Sequence, residues 1–461
     1  MLSRRRRHSL NVNSMSGIET GRFRFSRYVH RVPRGDQVCL VNLLSRGMIV
    51  LDCATLQAID ACIPTGVIPD EGAVDDPVEL MEALIAGFYV VPDSFDEKEY
   101  ITRRFEQDRS SRSALTLIVA PTIQCNLSCH YCYETRHPRF IDDQTVSALS
   151  AFAAEQLGSF NGIHVQWFGG EPLLALEPIR KISGQLMQLC ERDGKRYSAE
   201  LVTNGVLLTR DVGLELATLD VSQVQVTLEG AREHHDKVRR SRSVPRTFDQ
   251  ILNNLAATLD LFKTTIRVHV SPYNTIGVHD LIDELAMLGV AERIHRIYFA
   301  PLFNYAQGRL EPPFSPDLRK FLDVEGFASV QIELLHHAKK RGFPIPDFLD
   351  ASYGLCSAVS RGTFLVNPDG TIAKCYLDAG DASEAVGDTG TGVDRAGENY
   401  SKWDKYDFFD DPECASCGFV PLCMGGCPKQ KMTNASKSQV CTPLRYNLAE
   451  RVGVCLDTAK G

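Results

Sequence analysis

The sequence predicts an α/β fold: a partial (β/α)6 barrel, with a small winged-helix-like module before it and a cysteine-rich region after it. Three observations carry that reading. Six strand-like runs recur between residues 114 and 305, each followed by a helical stretch. Short strands and short amphipathic helices alternate over residues 23–92. Eight of the fifteen cysteines fall beyond residue 345, where regular periodicity fades.

The chain starts on a basic run, RRRRHSL (Arg4 to Leu10), with no apolar stretch of signal length behind it. It reads as a basic start and not as a targeting signal. QVCLVNLLSRGMIVLD then predicts a hairpin turning at Ser45-Arg46-Gly47. DDPVELMEALIAGF predicts a helix capped by Asp76, with Pro77 in its first position and Gly87 at its end. Leu80, Met81, Leu84 and Ile85 share one face of it, and FYVV adds a strand. The charged, serine-rich DEKEYITRRFEQDRSSRS reads as the linker that closes a module of residues 1–108.

Residues 109–315 hold the six strands, within ALTLIVAPT, IHVQWFGG, AELVTNG, VSQVQVTLEG, TIRVHVSPYN and IHRIYFAPLFNY. Read as continuous apolar strands, they indicate a parallel sheet covered by helices, which repeated right-handed crossovers curl into a barrel. Functional groups of barrels stand at the C-terminal ends of strands. CNLSCHYC (residues 125–132), GGEP (Gly169–Pro172), TNG (Thr203–Gly205) and TLEG (Thr227–Gly230) all fall there, on one rim. LEPPFSP breaks the pattern, and DLRKFLDVEGFASVQIELLHHAKKRG predicts a bridging helix opening a last region of residues 316–461. Many thiols with little periodicity predict that this region is held by metal and not by a core.

Composition is that of an ordinary globular chain, 44% hydrophobic and 23% charged over 461 residues. A net charge of −8 gives no basic field, so nucleic acid is not an expected partner. No run of apolar residues is long enough to span a membrane, and no export signal is present, so a cytoplasmic protein without disulfides is expected. Ten cysteines form two spaced groups; Cys39, Cys53, Cys62, Cys190 and Cys455 are scattered and read as small buried hydrophobes.

The first group, Cys125, Cys129 and Cys132, has the spacing CX3CX2C. Zinc sites usually take two cysteine pairs, and His130 lies inside the loop rather than at zinc-finger spacing. A [4Fe–4S] cluster held by three thiolates leaves one iron open to an outside ligand. This spacing, with an aromatic residue before the third cysteine and just after the first strand of a βα barrel, resembles the radical S-adenosylmethionine (radical SAM) superfamily. The resemblance implies that S-adenosylmethionine chelates the open iron and is cleaved to a 5′-deoxyadenosyl radical, which abstracts hydrogen. It implies that Tyr131 lies against the adenine, and that Gly169, Gly170, Glu171 and Pro172 meet the methionine amino group. Glycines let a backbone approach a ligand, and a carboxylate suits an ammonium. By position, Asn204, Thr227 and Glu229 are candidates for ribose or carboxylate contacts, or else strand-end caps. One of Arg239, Arg240 and Arg246 is a candidate for the cofactor carboxylate.

In the second group Cys356 is followed by thirteen residues, Gly370, four residues and Cys375. Cys414, Cys417, Cys423 and Cys427 then run CX2CX5CX3C, and Cys441 follows. Two zinc sites would also satisfy such a set. The pattern resembles the SPASM domain of radical SAM enzymes that modify peptides and proteins. That resemblance implies two auxiliary iron–sulfur clusters: a distal one on Cys414, Cys417, Cys423 and Cys441, and a proximal one on Cys356, Cys375 and Cys427. The proximal set counts three, so an open iron, Asp350, Asp378 or a loop group is left to complete it. An open iron would suit a substrate cysteine.

The expected function is a maturase that abstracts hydrogen from a ribosomally made peptide and forms an intramolecular thioether or carbon–carbon crosslink. Its implied partners are that peptide, a leader segment added to the N-terminal module's sheet edge, and a reductant such as flavodoxin or ferredoxin. The alternative is an anaerobic sulfatase maturase, whose aspartate typically follows the cysteine matching Cys375; here Tyr376 stands there and Asp378 comes three positions on. An iron–sulfur electron carrier or redox sensor would explain the thiols but not GGEP or the barrel. Tyr273, Asn274 and Tyr305 are expected to line the pocket; no acid, base or hydrogen donor is assigned.

Overall fold

The structure, a computed structural model, describes residues 22–65, 74–129, 131–134, 138–241, 245–302, 321–349, 355–433 and 440–456. After β1 (Phe23–Phe25), strands β2 (Val29–Arg34), β3 (Gln37–Asn42) and β4 (Gly47–Asp52) form an antiparallel meander. Asn42 pairs with Gly47, so the hairpin turns earlier than expected and takes in Leu43 and Leu44, both buried. Asn42 Oδ1 accepts from the Leu44 N–H at 2.8 Å, an Asx turn that fixes the reversal. α1 (Cys53–Cys62) and α2 (Pro77–Ala86) are capped by Asp52 and Asp76, and β5 (Val90–Pro92) pairs back onto β1.

The charged stretch that follows is a helix, α3 (Glu97–Arg109), capped by Asp96, and not a linker. Ile101, Phe105 and Arg109 recur every fourth residue and are buried, a stripe hidden in the sequence by charge on the other faces. Burying Ile101 and Phe105 contributes about 1.5–3 kcal/mol each. Their neighbours are Trp403 and Phe408 of the last region, and Arg109 donates to the carbonyls of Trp403 at 3.2 Å and of Asp404.

Six parallel strands follow in chain order, as predicted: β6 (Leu115–Val119), β7 (Gly162–Trp167), β8 (Arg196–Thr203), β9 (Val221–Leu228), β10 (Lys263–Val270) and β11 (Arg296–Pro301). Between them run α4 (Asp143–Leu157), α5 (Leu176–Arg192), α6 (Arg210–Thr218), α7 (Arg232–Val238), α8 (Thr247–Thr258) and α9 (Thr275–Met287). The strands are not continuously apolar, however. Val165, Trp167, Leu201, Val226 and Val268 are buried in the core, while Gln166, Glu200, Gln225, Arg267 and Tyr298 alternate with such residues along their strands. The polar set is joined across strands, Gln166 to Glu200 and Tyr298 Oη to Gln225 Oε1 at 2.8 Å. Helices cover one face and the other is a polar wall, which is why the period is two.

α10 (Val324–Lys340) is the bridging helix, starting from a cap at Asp323. β12 (Thr363–Val366) then adds in parallel beside β6, with Val366 opposite Val119. β13 (Thr371–Ala373), β14 (Gly387–Asp388) and β15 (Gly392–Val393) extend the sheet antiparallel to ten strands among the described residues. Short helices α11 (Glu398–Asp404), α12 (Pro412–Ser416), α13 (Val420–Cys423) and α14 (Pro428–Met432) carry the thiols, and α15 (Leu444–Leu456) packs along α10. This region is not without a core, contrary to expectation. Trp403, Phe408, Val420 and Met424 are buried with Tyr28 and Phe105, and Phe348, Leu444 and Val452 with Val32 and Leu43. Its apolar partners lie in the N-terminal module, out of reach of any periodicity within the region itself. Among the described residues no helix is long and apolar enough to cross a membrane.

Candidate functional site

The loop leaving β6 carries Cys125, Cys129 and Cys132, and backbone bonds pin it on two sides. Ser128 N–H donates to Arg240 O at 2.7 Å, and Glu171 N–H to Gln124 O at 2.8 Å. The second contact explains the glycines. A Cβ on Gly170 would stand 2.2 Å from Gln124 O, and one on Gly169, where φ is +103°, 2.6 Å from Thr122 O. They are glycines because the cysteine loop's own backbone lies against them. Cys125 Sγ receives the Leu127 N–H at 3.4 Å and lies 3.7 Å from Asn204 Nδ2.

Glu171 is fully buried, and its carboxylate ties its own turn to the end of β8. Oε1 accepts from Thr203 Oγ1 at 2.8 Å and from Leu173 N–H at 3.1 Å, and Oε2 from Asn204 N–H at 2.8 Å. Burial raises its pKa despite those donors. Pro172 opens the buried one-turn helix that follows. Asn204 also caps its own turn, Oδ1 accepting from Val206 N–H at 3.0 Å. Thr227 is buried beside Glu229 at the end of β9.

Of the three candidate arginines the structure buries Arg239, while Arg240 is exposed and Arg246 precedes α8. Arg239 Nη1 lies 3.3 Å from Glu229 Oε1 and 2.9 Å from Tyr131 Oη, and its Nε is buried without an acceptor. Glu229 also bonds Tyr131 Oη and, at 2.8 Å, His269 Nδ1; the His269 ring meets Tyr131 edge-on at 5.3 Å. Burial works against the Glu229 carboxylate, but His269 and then Arg239 hold its pKa at about 2. Burial takes His269 below the usual imidazole range, so at neutral pH it donates Nδ1–H as a neutral ring and Arg239 is the standing cation. The alternation in RVHV, which puts Arg267 and His269 on one strand face, was the signal that could have found His269.

Asn274 is a clamp and not a pocket wall: its amide donates to Glu229 O at 3.1 Å and His269 O at 2.8 Å. Tyr273 lines a small cleft with Glu229 and His269. Cys190 is buried in the core under α5, away from this rim. His130, Tyr305 and Asp350 lie outside the described residues.

The C-terminal thiols have one another as electrostatic neighbours. Cys423 interacts electrostatically with Cys414, Cys441 and Cys417, and Cys375 with Cys356 and Cys427. Tyr406 is charge-coupled to Cys414, Cys423, Cys356 and Cys427. A cavity of about 620 Å³ is lined by Cys414, Cys417, Cys423 and Cys441. Donors point at its sulfurs: Lys431 Nζ to Cys414 at 2.7 Å, Phe419 N–H to Cys417 at 3.4 Å and Arg445 Nη1 to Cys441 at 3.9 Å. No disulfide forms among the described residues, and burial pushes Cys125 and Cys423 up to about 12 and Cys356 to about 11. Buried thiols that resist ionisation, with N–H donors turned to sulfur, suit a cationic cluster that takes them as thiolates. Among the described residues no three Cys, His, Asp or Glu side chains converge on a single ion. Thiolates bound to separate irons of a cube have no need to.

The two ends meet inside the barrel. β13 runs back along β12, so Cys375 lies two residues past Ala373, which is opposite Leu365 and, through it, Ile118. That is toward the other end of the sheet from Cys125. Tyr376 reaches the polar wall, bonding Gln166, and its ring meets Phe168 at 5.0 Å. Tyr133 interacts electrostatically with both Cys132 and Cys375, and with Arg267.

The Radical SAM superfamily sequence model matches residues 119–285. The mycofactocin maturase MftC of Mycolicibacterium smegmatis is 26% identical over 352 residues, 72% of this chain and 82% of that protein. The Fe-coproporphyrin III synthase of Methanosarcina barkeri is 28% identical over 188 residues, 41% of this chain and 44% of that protein, so less than half of its length is spanned. Among solved structures, native anSMEcpe with bound AdoMet superposes with a TM-score of 0.58 at 15% identity over 74% of this chain and 99% of that one. Streptococcus suis SuiB bound to precursor peptide SuiA gives 0.51 at 12% identity over 91% and 99%. These two show the fold.

Proposed function

The barrel belongs to the radical SAM superfamily, and from that premise we propose that the chain is a maturase of a ribosomally made peptide, forming an intramolecular thioether or carbon–carbon crosslink. The observation that supports the reading is the placement of two thiol groups about one sheet: the loop with Cys125, Cys129 and Cys132 leaves the C-terminal end of β6, while Cys375 follows β13, whose register sets it toward the other end. A substrate in the polar barrel interior then has thiol sets on two sides, as a reaction needs that removes hydrogen at one end and electrons at the other. Bound on Cys125, Cys129 and Cys132, a [4Fe–4S] cluster with S-adenosylmethionine supplies the 5′-deoxyadenosyl radical. The protein's part is positional. Tyr131 is held by Arg239 and Glu229, Gly169, Gly170 and Pro172 keep the neighbouring loop against the cysteines, and Glu171, Asn204 and Thr227 complete the rim. Proximal and distal clusters on the seven C-terminal cysteines complete the cofactors.

A cavity of about 450 Å³ between β11 and α10, reaching Cys427 and Cys441, has the size of a ligand site and gives a path for a peptide. Residues 23–92, read as the winged-helix-like module, carry a three-stranded sheet with β4 at one edge, where a leader strand would add. Among relatives, a maturase is matched over most of its length. Flavodoxin or ferredoxin is the proposed reductant.

The test is anaerobic co-expression with any short peptide encoded beside the gene, followed by mass spectrometry. A loss of about 2 Da, localised by fragmentation, is expected for an oxidative crosslink. If reduced protein does not turn S-adenosylmethionine into 5′-deoxyadenosine, the electron-carrier reading replaces this one. Formylglycine in a sulfatase peptide would install the sulfatase reading instead.

A further inference from the structure

Asp378 is fully buried, and its two oxygens have different surroundings. Oδ1 accepts from Lys429 Nζ at 2.7 Å, whereas Oδ2 is buried without a hydrogen-bond donor. A buried carboxylate oxygen left in this state calls for a partner. Its position indicates which. Asp378 closes the single 3₁₀ turn Tyr376–Asp378 that Cys375 caps, and its N–H donates to Cys375 O at 2.9 Å. That bond closes the turn on Cys375 and keeps Asp378 next to the segment that bears its thiol. Lys429, on the other side, follows Cys427 by two residues in α14. The carboxylate thus sits at the end of the turn that Cys375 caps and is bonded to a lysine of the helix that Cys427 caps, so it joins the segments of two of the three thiols of the proximal set.

We propose that Asp378 Oδ2 is the fourth protein ligand of the proximal cluster, completing the set of Cys356, Cys375 and Cys427. The assignment rests on the iron–sulfur reading given above. Lys429, shared with Glu384 at 2.8 Å, then anchors the ligand and is not its sole partner. A carboxylate ligand also answers the count of three cysteines without leaving an iron open to a substrate thiol.

The experiment uses the full chain, reconstituted anaerobically, with iron and sulfide counted per chain and EPR spectra taken before and after mild ferricyanide oxidation. Asp378→Ala is expected to lose one more iron than the native chain on oxidation, and to show a second three-iron signal beside the one that the open iron of the first site gives in both. Asp378→Cys is expected to keep all its iron, with an altered EPR spectrum in the reduced state. Lys429→Met is expected to retain the native iron count. The assignment is overturned if Asp378→Ala loses no more iron on oxidation than the native chain does. It is equally overturned if Lys429→Met reproduces the Asp378→Ala spectrum, which would make Asp378 a counter-ion only. Should Asp378→Ala fail to fold, Asp378→Cys decides: an unchanged reduced spectrum refutes ligation. Cys375→Ala separates the layers, because unchanged iron in that variant removes the cluster reading beneath the proposal.

Discussion

Replacing Arg239 by methionine tests the network that holds Tyr131. Methionine keeps most of the volume and removes the cation, leaving the Glu229 carboxylate 2% exposed with a neutral imidazole and a phenol as partners. Breaking a buried ion pair from one side costs about 3–5 kcal/mol. His269 still donates at 2.8 Å, so the lower end of that range is expected, about 3 kcal/mol. Glu229→Gln should cost a similar amount by stranding Arg239. The double variant removes both charges and should recover about 1–3 kcal/mol relative to the sum of the singles. Anaerobic denaturant melts of the reconstituted chains measure all four corners of the cycle. Strict additivity would refute the argument, because it would mean that Arg239 and Glu229 stabilise the rim independently. The same pair sets an acid limit. A carboxyl depressed from its ordinary value of 4.5 to about 2 contributes stability that is complete above pH 4.5 and is lost as pH falls toward 2. In the Arg239→Met chain the carboxyl is depressed less, so that acid loss should be smaller and should end at higher pH.

Other outcomes follow from single contacts. Gly170→Ala drives a Cβ to 2.2 Å from Gln124 O, so the variant should lose iron from the first site while the C-terminal thiols keep theirs, as an iron count would show. Lys431→Met removes the donor 2.7 Å from Cys414 Sγ, and a redox titration followed by EPR should find the distal cluster's potential shifted negative. Arg109→Ala strips the carbonyls of Trp403 and Asp404 of their buried donor, at a cost of about 1–3 kcal/mol, and limited proteolysis should cut first near residues 97–109. Iron removal by a chelator should leave Trp403 shielded, since Phe105, Phe408 and Met424 are buried in the same cluster; in a Trp167→Phe chain, emission from Trp403 reports it alone.

How much of this was readable beforehand differs by element. The parallel order of β6 to β11 and the rim stretches were plain, because apolar runs, turn residues and thiol spacing are local signals. The α3 stripe was not, because Ile101 and Phe105 are two apolar residues in a charged segment whose partner, Trp403, lies some three hundred residues further on. For the same reason the last region's core was mistaken for none. Cysteine spacing led to the expected grouping of the seven C-terminal cysteines. Spacing carries no side-chain direction, however, so His269, Tyr133 and the lysines beside Cys414 and Asp378 went unseen. The glycines of GGEP were noticed for the close approach they allow, and residues 122–124 make one such approach.

The pairing of β12 with β6 also has a consequence in time. During synthesis β6 leaves the ribosome early, but its second neighbour emerges only after the rest of the barrel and the bridging helix. Until then the strand that leads into the first cysteine loop presents unpaired backbone groups along one edge, a template for intermolecular pairing. Such long-range closure slows folding and prolongs that exposure. The edge closes only once residue 366 has been made.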